Sequence, residues 1–284
     1  MKKIFLIATV IFSVVFYSFP AICEDKPLDL GIHPYLASSL IHKRFTPLAE
    51  HLGKKVGQPV IIKVAQDYRD HIENIGKNEV HIALMGPVTY VKMVKEYGLK
   101  PILACLETNK KTFFQGVIIT RKNSPIKSIS DIEGKRFAFG DPNSTMSYII
   151  PRFMLLEAGI PLKKLGSHSF LKNHCNVALG VLIGDYDAGA VKEEVFNRYK
   201  ERGLKTIART PLTPEHIFVA SNNLSAKTVQ TLREALYNLK NETNGKEILS
   251  AIKQGLTGMV PYEDANYKNL RKIMQTLEEQ DVKL

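Results

Sequence analysis

The sequence predicts an α/β protein with two domains, and three observations predict it. Short apolar runs alternate with amphipathic helical stretches along most of the 284 residues, the pattern of strands joined by helices into a mainly parallel sheet. The alternation comes in two sets, after which the pattern changes to helix alone. Without an N-terminal leader about 260 residues remain, close to the size at which one hydrophobic core divides into separate domains.

The first set reads LDLGI, a helix over Leu36–Gly53, VIIKVA, a helix over Tyr68–Gly76, VHIALMG, a helix over Val88–Gly98, and PILACLE. Each helix has apolar residues at helical spacing and stops at a glycine. The second set has strands TFFQGVIIT, KRFAFG, YDAGAV and KTIART, with helices at about Ser147–Ala158, Asn176–Ile183 and Glu193–Arg202. Beyond IFVASNN only helices are expected, at SAKTVQTLREALYNLK, KEILSAIKQG and ANYKNLRKIMQTLEEQ. HIENIG before EVHIALMG echoes VALGVLIG before DYDAGAV, each a helix, a glycine stop and a buried strand, as two similar lobes or βα units in general would give. No low-complexity linker separates the sets, so extended segments near TFFQG and TPLTPEHIFV are expected to connect them.

The first residues, MKKIFLIATVIFSVVFYSFPAICEDK, carry lysines, then an uncharged apolar run, then small residues around Ala21 and Cys23. That is the layout of a secretory signal peptide, residues 1–23, with cleavage expected after Cys23. An uncleaved membrane anchor is the alternative, and a lipoprotein a weaker one, because Pro20-Ala21-Ile22 lacks the usual leucine and small residue. No later stretch is long and apolar enough for a span, so the mature protein is expected to be soluble and periplasmic. Cys105 and Cys175 would remain, and that compartment permits a disulfide between them without requiring one. Net charge is +11, and loss of Lys2 and Lys3 leaves +9. The excess lies in scattered Lys-Lys and Lys-Arg pairs with no basic block and no tryptophan, which argues against a nucleic-acid partner and leaves a general field that attracts anions.

The most informative stretch is DPNSTMSYIIPR, Asp141–Arg152. KRFAFG ends as a strand, Asp141-Pro142 turns the chain, and Ser144, Thr145 and Ser147 open a helix. The first amides of a helix lack intrahelical partners and point outward with the positive end of the dipole, so an anion fits there. Simple N-capping needs a single hydroxyl and contributes about 1 kcal/mol. Three hydroxyls exceed that need, and on physical grounds anion site and cap both stand. A catalytic serine would need a base and an acid; His174 and Asp187 exist, but no GxSxG elbow surrounds the serine. The eight histidines show neither HExxH nor tight Cys/His spacing, so no metal or cofactor is expected. His33, His42, His51, His71 and His168 read as surface or satisfied core groups.

DPNST, the helix ending in EAGI, NHCNVALGVLIGDYDAGAVKEEVF and TPLTPEHIFVA resemble the phosphate/phosphite/phosphonate substrate-binding proteins of ABC importers, the PhnD-like family. VAQDYRDHIENIGKNEVHIALMGPVTYV and SPIKSISDIEGKRFAFGDPNS extend the resemblance over nearly all of the mature chain. It implies a two-lobed type II periplasmic-binding-protein fold, with ligand in a cleft between lobes joined by hinge segments. Lobe 1 would comprise residues 24–114 and 218–284, and lobe 2 residues 115–217. It further implies that Ser144 and Thr145 donate to phosphoryl oxygens, that His174 faces the same group, and that Tyr68 reaches it from the first lobe. Glu194 stands where some members set an acid against a ligand amino group.

Three departures are visible: Met146-Ser147 replaces a common Ser-Gly, Met85 an aromatic, and Glu215-His216 an acid that contacts the phosphonate. Each carried-over residue has a plainer reading: Tyr68 as packing, His174 as a cap, Glu194 as a solvated helix charge. Tyr35 follows the first strand, where α/β sheets place binding loops, and Tyr90 reads as packing. The expected protein is not an enzyme. It is a monomeric carrier that captures a phosphonate, phosphite or phosphate with Ser144, Thr145, Ser147, His174 and Tyr68, and with Tyr35, Glu194 and His216 as outer candidates. It would deliver that oxyanion to an ABC permease. A sensory module and a Ser144 hydrolase are the rival classes. Affinity is expected to titrate through His174 between about pH 5 and 8.

Overall fold

A computed structural model of the protein describes residues 26–282; the expected leader and its cleavage after Cys23 lie outside them. The apolar run LDLGI forms β1 (Leu28–Ile32), followed by α1 (Ser38–Val56), β2 (Val60–Val64), α2 (Tyr68–Gly76), β3 (Ile82–Met85), α3 (Pro87–Tyr97) and β4 (Ile102–Thr108). The chain then passes through β5 (Phe113–Phe114) into β6 (Gly116–Arg121), β7 (Arg136–Phe139), α4 (Ile150–Glu157), β8 (Ser167–Phe170), α5 (His174–Ile183), β9 (Ala188–Lys192), α6 (Glu193–Tyr199) and β10 (Leu204–Arg209). It returns through β11 (Thr213–Pro214) to β12 (Ile217–Ala220), α7 (Ala226–Asn238), α8 (Gly245–Ile252), β13 (Leu256–Val260) and α9 (Lys268–Val282).

One sheet has the order β13-β4-β12-β3-β1-β2 and the other β10-β6-β9-β7-β8. Between them β5 and β11 pair as a short antiparallel ribbon, Phe114 with Thr213 and Phe113 with Pro214. This is a two-lobed α/β fold, but its sheets are mixed where a mainly parallel sheet was expected. β2, β1 and β3 run parallel, whereas β12 is antiparallel to both β3 and β4. The cause is topological: β4 leaves the first sheet and β12 re-enters it beside β4, so the two are arms of one long hairpin whose tip is the whole second lobe.

Two strands fall where none was expected. β13 interrupts the helical tail and pairs antiparallel with β4 at the sheet edge, with a register shift between Leu256 and Gly258. β8 is the mostly polar run SHSF, parallel to β7 at an edge. Edge strands half-exposed to water need no apolar alternation, so neither carries the usual signal. The single strand expected over TFFQGVIIT is broken at Gln115, whose Nε2 donates to Thr210 O at 2.7 Å.

Cores follow the layers. In lobe 1, Leu30, Phe45, Leu232 and Leu249 pack on one face of the sheet, and Ala83, Tyr90, Val219 and Leu270 on the other. Ile149 and Ile150, from the turn that opens α4 in lobe 2, join this second cluster of lobe 1. Packing thus draws the hydroxyl-rich segment to the lobe interface. No helix of the described residues is long and apolar enough to cross a membrane. At the start of β6 the interface is tight: a Cβ on Gly116 would lie 2.9 Å from Met146 Cβ and 3.0 Å from Val191 O. Gly116→Ala is therefore expected to destabilise the protein by about 1–3 kcal/mol, the usual cost of overpacking; urea unfolding at constant m-value measures it.

Candidate oxyanion site at the lobe interface

The candidate side chains other than His216, which precedes β12, sit just beyond the carboxyl end of a parallel strand, where open α/β sheets bind ligands. In lobe 1 Tyr35 follows β1, Tyr68 opens α2 after β2, and α3 opens after β3. In lobe 2 the hydroxyl segment follows β7, His174 opens α5 after β8, and Lys192 ends β9.

The hydroxyl segment starts as the sequence suggests. Asn143 N donates to Asp141 Oδ1 at 2.7 Å, and Ser144, in extended backbone, caps the helix by accepting from Ser147 N at 3.2 Å. The first turn is wider than α: Ile149 N bonds Ser144 O and Ile150 N bonds Thr145 O, each five residues back, a geometry common at functional sites. Among the described residues the Thr145 and Met146 amides have no hydrogen-bond partner. Thr145 Oγ1 accepts from the Val88 amide at 3.1 Å, one of the first amides of α3. Two helix N-termini, one from each lobe, therefore converge on the Thr145 side chain, whose hydroxyl proton stays available. Ser147 departs from the expected role of oxygen donor. Its hydroxyl donates to Ala190 O at 2.5 Å while its amide serves the Ser144 cap, and it is 0% exposed, so both of its donors are spent inside lobe 2.

His174 is close to this segment because Gly140 separates them. A Cβ there would lie 2.7 Å from Ser147 Oγ and 3.9 Å from Asn173 C. The cap of α5 is Asn173, which accepts from Asn176 N at 3.0 Å, so His174 is not a cap. Its Nδ1 accepts the Lys192 amide at 3.1 Å, which places the ring proton on Nε2. That buried nitrogen has no partner among the described residues. Burial, reinforced by the charges of Lys192 and His216, holds the His174 pKa well below its ordinary value. Burial therefore favours the neutral ring, a single N–H donor, over the charged form that the expected titration between pH 5 and 8 requires.

Facing it is an aromatic wall from lobe 1. Burial, reinforced by the nearby Asp141 carboxylate, raises the Tyr68 pKa. The His33 ring lies 4.8 Å from Tyr68, 5.2 Å from Tyr35, 5.4 Å from His71 and 5.8 Å from His216. His33 Nδ1 and His71 Nε2 both donate to Leu84 O, at 3.2 and 3.0 Å, so these are the satisfied buried groups expected. Lys92 Nζ to Asn143 Oδ1 at 2.6 Å and the Arg152–Asp281 ion pair also cross between lobes.

Tyr35, Glu194 and His216 stand apart from the other candidates, lining a cavity of about 620 Å³ with Arg44, Phe114 and Lys192. Glu194 does not present a free carboxylate there, because both terminal nitrogens of Arg44 donate to its Oε1 at 3.1 Å. His216 Nδ1 donates to Glu215 Oε1 at 2.6 Å, and its Nε2 accepts from Lys192 Nζ at 3.0 Å. Glu215 also accepts from Lys253 at 2.5 Å; burial would raise its pKa, but His216 and Lys253 outweigh that and hold it well below the carboxylate range. Sequence reasoning missed Val88, Lys192, Arg44 and Lys253. Val88, in GPVTYV, and Lys192, directly after DAGAV, lie within the stretches that carry the resemblance, whereas Arg44 and Lys253 lie in none. Cys105 and Cys175 are both free, which excludes the bridge between them.

Two α/β lobes on a double-strand hinge, with helix N-termini meeting at their interface, define a type II periplasmic binding protein. Residues 30–267 match the family model for the periplasmic substrate-binding protein of phosphonate ABC transporters, and the chain belongs to that family. It is 25% identical over 295 aligned positions to a probable ABC transporter phosphite binding protein, PhnD1, of Prochlorococcus marinus, covering 97% of each chain. It is 25% identical to the phosphonates-binding periplasmic protein of Escherichia coli over 89% of this chain and 76% of the other. The solved structure of Prochlorococcus PhnD1 with methylphosphonate superposes with a TM-score of 0.81 at 22% identity, over 89% of this chain and 98% of that one.

Two outcomes follow from the site's internal bonds. Ser147→Ala strands the Ala190 carbonyl and is expected to lower stability by about 1–3 kcal/mol with little change in ligand affinity, as unfolding and titration calorimetry on one variant will show. Five buried histidines have depressed pKa values, His71 and His216 at about 4, His33 and His174 well below the ordinary value and His51 below it, burial being the largest cause in each. The unfolded chain then binds more protons below its ordinary imidazole pKa, so stability is full above about pH 6.5 and falls as pH drops toward about 4. The urea midpoint should follow that course; a midpoint flat down to pH 5 would contradict it.

Proposed function

We propose that the protein is the soluble, monomeric receptor of an ABC importer that captures a small phosphorus oxyanion, phosphonate, phosphite or phosphate, by closure of its lobes and passes it to the membrane permease. The supporting observation is His174 Nε2–H, a buried donor without a protein partner, beside the helix start where the Thr145 and Met146 amides are also unpartnered. Those groups, with the Ser144, Thr145 and Tyr68 hydroxyls, supply donors and no acceptor-only group, which suits an anion. The lobes divide at the β5–β11 ribbon, residues 24–114 with 218–284 against 115–217, and ligand favours the shut arrangement because only there do both lobes reach it. The leader, residues 1–23, directs export to the periplasm.

The same hydrogen bonds argue for binding without catalysis. His174 accepts the Lys192 amide at Nδ1 and carries its proton on Nε2, so it offers Ser144 no lone pair with which to act as a base. The test is a thermal-shift series with phosphate, phosphite, methylphosphonate and sulfate. The true ligand raises the melting temperature by mass action, and Thr145→Ala weakens it by about 1.5–3 kcal/mol, the worth of a charge-assisted bond. No shift with any phosphorus oxyanion would overturn the reading, and unchanged affinity in Thr145→Ala would make the threonine a hinge contact only.

A further inference from the structure

We infer that the ligand carries a second anionic group, a carboxylate in the simplest case, held by Lys192 in the cavity beside the oxyanion cradle. The inference rests on the reading of the cradle given above and specifies the class of phosphonate that fits. The first ground is size. The cavity of about 620 Å³ would hold roughly twenty waters at about 30 Å³ each, far more space than a bare tetrahedral anion needs. Its walls include Tyr35, Phe45, Leu84 and Phe114, apolar surface suited to a methylene linker.

The second ground is an inventory of charge. Each carboxylate lining the cavity already has its own cation: Glu194 has Arg44 at 3.1 Å, Glu215 has Lys253 at 2.5 Å, and Glu193 has Arg209. Among the described residues Lys192 forms no ion pair with a carboxylate. Its Nζ donates to the neutral His216 Nε2 and stands 4.6 Å from the centre of the Tyr35 ring and 5.7 Å from that of Phe114. Aromatic faces compensate a desolvated ammonium only in part, and burial lowers the Lys192 pKa to about 8, which still leaves it mostly charged at neutral pH. An incoming oxyanion supplies the missing counter-charge. The relay Lys253–Glu215–His216 fixes the ring so that it presents a lone pair to this ammonium, which positions the cation before ligand arrives.

The third ground is connectivity. The amide of Lys192 holds His174 Nδ1 while its ammonium reaches the cavity, so one residue ties the cradle's donor to the second charge. A ligand amine finds no such welcome: the carboxylate expected to receive it, Glu194, is occupied by Arg44.

Titration calorimetry of the full mature chain with methylphosphonate, phosphonoacetate and 2-aminoethylphosphonate tests this. Phosphonoacetate is expected to bind about tenfold tighter than methylphosphonate or better, the effect of one well-placed charge pair, and 2-aminoethylphosphonate weaker than both. Lys192→Met should abolish the advantage of phosphonoacetate, costing that ligand about tenfold more than it costs methylphosphonate. Equal affinities in the native protein, or tightest binding of the amine, would overturn the inference without any variant. An equal loss for both acids in Lys192→Met would also overturn it, by assigning the ammonium to the phosphoryl group itself. If methylphosphonate binds and phosphonoacetate gains nothing, only this inference fails; if no phosphonate binds, the cradle reading fails and carries the inference with it.

Discussion

The hydrogen bond from the Lys192 amide to His174 Nδ1 is the contact on which the rest of the site depends. It joins the end of β9 to the start of α5 and decides which imidazole nitrogen keeps the proton. A ring so held is a donor in a dry environment, where burial disfavours its charged form. From that one bond follow the polarity of the cradle, the loss of a base for Ser144, and the nearness of a lysine ammonium to the same ring. Reversing it would turn a donor into an acceptor and make the site hostile to anions.

The sheets explain how such bonds can be assembled from distant parts of the chain. Because β4 and β12 are neighbours in one sheet with the second lobe inserted between them, the elements that face the interface come off the carboxyl end of a strand in their own lobe, with His216 at the start of β12 the exception. Parallel pairing is retained only where helices must open toward the cleft, at β2-β1-β3 and at β8-β7-β9. The antiparallel strands carry the crossings and contribute little to the site beyond His216 at the start of β12.

Much of this was legible in the sequence, and what was not has a common physical cause. The alternating pattern revealed the α/β class and most strands, and DPNST marked the helix start because turn, cap and hydroxyls are local signals. Ser147 looked equivalent to Ser144 and Thr145 because a sequence cannot show that its hydroxyl meets Ala190, 43 residues on. Glu194 looked available because its arginine lies 150 residues earlier. Lys192 was passed over as one more surface charge, since only the fold surrounds it with Tyr35, Phe114 and His216. β13 and β8 escaped notice as edge strands whose side chains alternate weakly. Local chemistry can be read along the chain, whereas the partners that commit or release a polar group are set by topology.

Ile149 and Ile150 stand in the second lobe yet complete an aliphatic cluster of the first. In the proposed open form both would meet water, which would give that form a larger heat capacity than the shut one. Cooling would weaken the preference for the shut form, so under the proposed closure the hold on a ligand would depend on temperature as well as on concentration.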